Sequence, residues 1–369
     1  MLKVTLVDGP PQDVRDFGDE LADKLTAEDV EVIREIFRTP LTGSYNWDYQ
    51  DANAKIRKLY ELGKRFNWDA QMDVDWDAPF PRSEPPNDPA LNAFAGHPKY
   101  EALTPEQKLD FAWRSHAQTL SQFMHGEQGA MLVASQLVSC APTYDAKLYA
   151  SSQTFDEARH VEVFHRYLTE RCKLIYPINP NLKALLDKVL TDERWDLKFI
   201  GMQILIEGLA LAAFQSMRQT TRDPLLQQIV ELVMRDEGRH VAFGVNYLEG
   251  WIRALPQNEI DERAEFAYEA CVIMRERLFN TEVAEEFGFT RDEAREINHN
   301  AAAGGAFRDF LFERMIPNLK RVGLLTDAVR PKFEALGVLK FEDAVHDGLI
   351  DWATLEKPLP VTPRMLAAE

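Results

Sequence analysis

The chain has 369 residues and a formal charge of −18, enough length to bury a substantial core in one large domain or two smaller ones. That acidity argues against nucleic acid or an anionic membrane as partner, because both need basic patches. Three cysteines without paired spacing (Cys140, Cys172, Cys271) and an N-terminus with no sustained apolar stretch point to the reducing cytoplasm, with no disulfide framework and no signal peptide.

Residues 1–100 read as an irregular arm that packs on the core. The arm has strand-like alternation at Leu2–Val7, a helix near Thr26–Arg38, and a proline-rich connector from Pro79 to Pro89. Trp47, Trp68 and Trp76 in that arm argue for packing rather than a free tail. Thr104-Pro-Glu-Gln then carries a capping-box pattern (Thr104 with Gln107), with Pro105 suited to the first helical position. Four long helices follow, at about 105–139, 143–174, 192–220 and 223–254. Breaks fall at Pro142, at the Pro177–Pro180 stretch and at Asp223-Pro224, and Pro256 closes the fourth. Further helices are expected near 258–286, 290–316 and 326–337, with a second strand-like stretch at Gly337–Phe341. The fold class is therefore all-α. Residues 101–255 form a four-helix bundle, and 256–369 add helices to the same domain.

The run from Phe199 to Met217 is nearly all apolar and long enough to cross a bilayer. Glu207 sits at its centre, where a carboxylate is costly in lipid, and no second such run exists. A buried bundle helix that presents one carboxylate accounts for both facts.

One pattern occurs twice. Glu127 is followed thirty residues later by Glu157-x-x-His160, and Glu207 thirty residues later by Glu237-x-x-His240. Each Glu-x-x-His places both side chains on one helix face. The midpoint between Glu127 and Glu157 is Pro142, and that between Glu207 and Glu237 is Arg222, each inside a turn-like stretch. Fifteen residues out and fifteen back, roughly 22 Å each way, bring the acids of each antiparallel hairpin level. Four carboxylates and two imidazoles around a common centre are the ligand set for a pair of iron or manganese ions inside a bundle. Asp156 and Asp236 precede the second acids, and Arg159 and Arg239 lie three residues further on. The aspartates are suited to accept the second nitrogen of a metal-bound histidine, and the arginines to keep them ionised.

The doubled Asp-Glu-x-Arg-His, each copy thirty residues after a lone Glu, resembles the catalytic subunits of bacterial multicomponent di-iron monooxygenases. More broadly it is similar to the ferritin-like carboxylate-bridged di-iron superfamily, over residues 105 to 250. The resemblance implies that Glu127, Glu157 and His160 serve one metal and Glu207, Glu237 and His240 the other, with some glutamates bridging. It also implies a homodimer. Three positions depart from relatives. Leu211 stands where the monooxygenases carry an active-site threonine, and Phe164 where reductase small subunits store a tyrosyl radical. Val233 stands where arylamine N-oxygenases add a third histidine.

The expected activity is that of an O2-activating di-iron oxidoreductase of the monooxygenase type, with manganese or a mixed pair as alternatives to two irons. Its substrate is a small apolar or aromatic molecule in a pocket walled by Ala130, Ala134, Phe164, Ala210, Leu211 and Phe214, and its electrons come from a donor protein or reductase. The alternatives are a ferritin-like iron oxidase or store, a non-catalytic partner subunit, or, among enzymes, a desaturase, an N-oxygenase or a reductase-small-subunit-like oxidase. His125 and His165 lie near the ligand positions but off their helical phase.

Overall fold

The computed structural model describes residues 12–13, 34–39, 41–49, 53–277 and 281–347. Helices dominate: α1 (Ala54–Arg65), α2 (Pro105–Cys140), α3 (Tyr144–Tyr167), α4 (Pro180–Thr191), α5 (Trp195–Thr220), α6 (Pro224–Ala254), α7 (Gln257–Arg277), α8 (Glu282–Glu286), α9 (Arg291–Asn300), α10 (Ala302–Val322) and α11 (Arg330–Ala335). One short ladder pairs Gln12–Asp13 antiparallel with Leu174–Ile175.

Local chemistry sets the helix ends. At the start of α2, Thr104 Oγ1 accepts from the Gln107 amide at 3.2 Å while Gln107 Oε1 accepts from the Thr104 amide at 3.0 Å. That is the reciprocal capping box the sequence predicts. Asp223 Oδ1 caps α6 through the Leu225 amide at 2.9 Å, with Pro224 in the first helical position. Only residues 141–143 join α2 to α3, and 221–223 join α5 to α6. Connections that short force antiparallel neighbours. The two hairpins pack together, with α3 against α6 at the centre. Around them α1 lies on α3 and α6, α4 on α2 and α7, and α10 on α5 and α6.

The structure differs from the sequence expectations in several places. α1 and α4 are helices the sequence reading omits. Pro177–Pro180 looked like a plain break, but Pro180 is the first residue of α4 and Asn179 its cap, bonded to the Asn181 amide at 2.9 Å. The second bundle helix loses its regular winding after Tyr167, widening to a π turn over Leu168–Cys172 and ending at left-handed Lys173 (φ 59°). The third starts at Trp195 rather than 192, because Asp192 Oδ1 accepts from the Arg194 amide in a local turn. Its first half is also π-helical, over Phe199–Ile206. The expected 258–286 helix divides into α7 and α8, the 290–316 helix breaks at Ala301 and continues to Val322, and the 326–337 helix shortens to α11. Leu339–Phe341 is a 3-10 turn and not a strand. Leu2–Val7 and residues 26–33 lie outside the described residues, and 34–38 are not helical.

Every residue from Asp196 to Phe214 is buried. Among the described residues α5 is the helix long and apolar enough to cross a membrane, and its apolar window lies wholly inside the protein. Trp68 and Trp76 are buried in the core, whereas Trp47 is exposed and stacks on Tyr45.

Candidate metal centre

Each bundle helix brings acid to the middle of the molecule. α2 supplies Glu127, α3 Glu157 and His160, α5 Glu207, and α6 Glu237 and His240; all six are buried. They form two overlapping groups of possible ligands, Glu127–Glu157–His160–Glu237 and Glu157–Glu207–Glu237–His240, with the donor atoms of each within 4.8 Å of one another. Glu157 and Glu237 belong to both groups, so the acids of the two Glu-x-x-His motifs occupy the shared positions. His160 Nδ1 lies 3.3 Å from Glu127, 3.2 Å from Glu157 and 3.1 Å from Glu237. His240 Nδ1 lies 3.1 Å from both Glu157 and Glu237 and 3.8 Å from Glu207. His125 instead bonds the Tyr176 carbonyl at 2.9 Å, and His165 is exposed.

The outer nitrogens are held crosswise. His160 Nε2 meets Asp236 at 3.1 Å, and His240 Nε2 meets Asp156 at 3.3 Å, so the aspartate of each motif serves the histidine of the other. Arg159 bonds Asp156 and reaches Asp236 at 3.1 Å, while Arg239 bonds Asp236 and reaches Asp156 at 3.3 Å. A carboxylate on Nε2 fixes the tautomer and turns Nδ1 inward toward the acids.

Four acids in a dry interior cannot all ionise unaided. Burial, then the charge of Glu237, raises Glu127 well above the usual carboxylate range. Burial, then Glu157, does the same to Glu207. Burial also pushes the Glu157 carboxyl upward, but the His240 and His160 imidazoles outweigh it and hold Glu157 well below that range. Both imidazoles rise well above their ordinary value, because the surrounding carboxylates overcome the effect of burial. Glu237 is buried, with His160 Nδ1 3.1 Å from its Oε1 and His240 Nδ1 3.1 Å from its Oε2. A buried, acid-rich cluster with two imidazole nitrogens facing it fits divalent cations held by hard oxygen and nitrogen donors.

Several residues around the cluster escaped the sequence reading. Gln153, fully buried, donates to Glu157 at 3.0 Å and Glu207 at 3.2 Å, and in turn accepts from Gln203 at 3.0 Å. Each glutamine lies four residues before a candidate ligand, in phase with it, which was the available signal. Trp68 Nε1 donates to Asp236 at 2.8 Å, and its ring stacks near His160. Nothing in the sequence ties Trp68 to Asp236, since 168 residues separate them. Of the expected wall, Ala130 and Ala210 line a small cavity of about 10 Å³ beside Glu127 and Glu207. Ala134 and Leu211 are buried as core, and Phe164 and Phe214 stack at 5.5 Å. Phe123, absent from that expectation, packs on Phe214 at 4.5 Å and reaches the small cavity.

Comparison with known proteins agrees with this architecture. No curated protein matches the sequence. Among solved structures, an R2-like ligand-binding oxidase with aerobically reconstituted metal cofactor after photoconversion aligns at TM-score 0.50 and 17% identity. That alignment covers 75% of this chain and 95% of that one, and it shows a shared fold. A point mutant of an R2-like ligand-binding oxidase with aerobically reconstituted Mn/Fe cofactor aligns at TM-score 0.49 and 18% identity, over 75% of this chain and 96% of that one. The family model of the p-aminobenzoate N-oxygenase AurF matches residues 49–323. The expected superfamily stands, and within it the match names a branch that the sequence analysis held among its alternatives, although Val233 occupies the place of the third histidine. That span runs from α1 to α10 and takes in all six donors and the helices that carry them, so the chain belongs to the p-aminobenzoate N-oxygenase AurF family of O2-activating oxidoreductases.

Proposed function

We propose that the protein is a dimetal oxygenase that uses O2 to oxidise the nitrogen of a small aromatic amine. The observation that carries this reading is the pair of overlapping donor groups sharing Glu157 and Glu237, inside a chain of the N-oxygenase family. Glu127 and His160 would complete one metal site, Glu207 and His240 the other, and oxygen and imidazole donors suit iron or manganese. When bound, such ions would supply electrons that reduce O2, so that one of its oxygen atoms can pass to the substrate.

The chain's own residues do the rest. Asp156 and Asp236 keep the imidazoles in the tautomer with Nδ1 free, and Arg159 and Arg239 hold those aspartates in place. The Gln203–Gln153 chain fixes the rotamers of Glu157 and Glu207. Phe123, Phe164 and Phe214 form an aromatic wall beside the cluster that excludes water. Turnover of this kind also needs an external reductant, and an electron-donor protein fills that role. A homodimer in the cytoplasm is the assembly and location we propose.

Val233 favours a second reading, hydroxylation of a small aromatic ring at a two-histidine centre. The experiment is an anaerobic Fe(II) titration of the metal-free protein, followed by O2 and an arylamine, with spectra and product masses recorded. Two irons per chain, an O2-dependent ferric absorption and oxygen gained at nitrogen support the proposal. Oxygen gained at ring carbon selects the second reading, and failure to bind two irons removes both.

A further inference from the structure

Between α2, α4 and the C-terminal half of α5 lies a chamber of about 230 Å³. Its inner wall shares Gln122 and Phe123 with the small cavity that touches Glu127 and Glu207, so the chamber leads toward the donor cluster. An engineered apolar cavity of about 150 Å³ takes one benzene. This chamber therefore has room for a single ring with substituents.

Its polarity is unusual for a site next to metal ligands. Among the described residues, no lysine, arginine, aspartate or glutamate lines it. The hydrogen-bonding groups are neutral: the amides of Asn87, Gln118, Gln122 and Asn179, the His116 imidazole, and the hydroxyls of Thr119, Ser216 and Thr220. His116 is held uncharged by a directed chain. Asn87 Nδ2 donates to its Nδ1 at 3.1 Å, its Nε2–H donates to the Tyr167 hydroxyl at 3.3 Å, and that hydroxyl donates to Asp223 at 2.8 Å. Burial acts the same way, pushing the imidazole pKa down to about 3.

Charge does lie behind the lining, and it is negative. Glu282 accepts from both Asn179 Nδ2 at 3.0 Å and Gln118 Nε2 at 3.4 Å. Asp223 stands behind His116 through Tyr167. A carboxylate entering this chamber would lose water, find no cation among the described lining residues, and face Glu282 one residue behind the wall and Asp223 two residues behind it. Desolvation of such an ion without a partner is strongly unfavourable. An uncharged amide or hydroxyl costs far less to transfer from water than an ion does.

We propose that this chamber receives the substrate, and that it takes neutral single-ring arylamines with an uncharged polar substituent while rejecting arylcarboxylates. The preference is opposite to that implied by p-aminobenzoate, the compound in the family's name. It rests on the reading of the buried cluster as the reaction centre, and its test is binding rather than turnover.

Calorimetric titration of 4-aminobenzamide and of 4-aminobenzoate, into metal-free and iron-loaded protein near neutral pH, compares two ligands of one shape and different charge. The benzamide should bind at least about tenfold more tightly. Ser216→Trp, which fills the chamber, should abolish that binding while leaving helix content and iron uptake intact. Thr119→Arg, which puts a cation at the exposed rim, should bring the benzoate to parity. Equal or tighter binding of the benzoate by the unmodified protein overturns the proposal. So does undetectable binding of both ligands, or benzamide binding that survives Ser216→Trp. Benzamide that binds in the chamber yet is never oxidised by the loaded enzyme under O2 supports the chamber assignment and retires the N-oxygenase reading instead.

Discussion

Asp156 and Asp236 each sit beside one motif's acid in sequence and serve the other motif's histidine in space. Breaking either link should be felt by both helices. Asp236→Asn removes the charge that Arg159, Arg239, His160 and Trp68 all contact, so it should weaken iron affinity about 10- to 100-fold. A competitive chelator titration measures this, and unchanged affinity would contradict the outer-ring role. Glu207→Ala removes one candidate ligand from a site already enclosed by apolar residues. It should abolish tight uptake of the second iron with helix content retained, as read by metal analysis alongside circular dichroism. His116 gives a pH-dependent outcome. Its folded-state value of about 3 lies below the ordinary 6.5, so unfolding releases a group that then takes a proton. Its contribution to stability is complete above pH 6.5 and is lost as pH falls toward 3. At about pH 5.5 the unmodified protein should have lost roughly 1.4 kcal/mol that His116→Gln does not lose. Urea unfolding of both proteins at two pH values would show identical pH slopes if the imidazole were not held neutral.

At the scale of elements, the π-helical run Phe199–Ile206 is what regular periodicity misses. Winding with one extra residue per turn shifts the phase of everything before Glu207, and such segments gather at functional sites. Within it Gln203, four residues before Glu207, keeps to the face of that acid and bonds Gln153. Close contact with α6 depends on Gly244, where a Cβ would sit 2.6 Å from the Gln203 Cβ. Gly244→Ala should therefore destabilise the protein by about 1–3 kcal/mol despite alanine's better helix propensity. A rise in the urea midpoint would show that the two helices can part at no cost. The hairpins themselves were legible, because Pro142 and Asp223-Pro224 punctuate long apolar stretches at the midpoint of each motif pair. α4 was not, since its proline-flanked start reads as a loop until Asn179 is seen to cap it. α1 was not singled out either, although Asn53 caps it and its buried face, Ile56, Leu59 and Leu62, repeats at helical spacing against α3 and α6.

The whole molecule encloses a cluster of carboxylates whose mutual repulsion is relieved by protons in the metal-free state. Divalent ions would bind the native cluster and not the unfolded chain, so they should raise the thermal midpoint in proportion to the logarithm of free metal. A concentration about 100-fold above Kd adds about 2.7 kcal/mol. Chelation should reverse the shift, and a midpoint indifferent to iron would argue that the cluster is not a binding site. The sequence by itself determined the all-α class, the two antiparallel hairpins and the six candidate donors, because helical period and the doubled spacing are local properties of the chain. It also determined that α5 lies in the core, since a lone Glu207 in an apolar run is tolerable only inside protein. Only the tertiary structure decided that Glu157 and Glu237 are the shared acids, that the aspartates cross over, and that Trp68 closes the outer ring. It alone assembled a neutral chamber from α2, α4, α5 and the Asn87 loop. Those arrangements depend on distances between residues far apart in the chain, which are set by how the helices pack and carry no periodic mark.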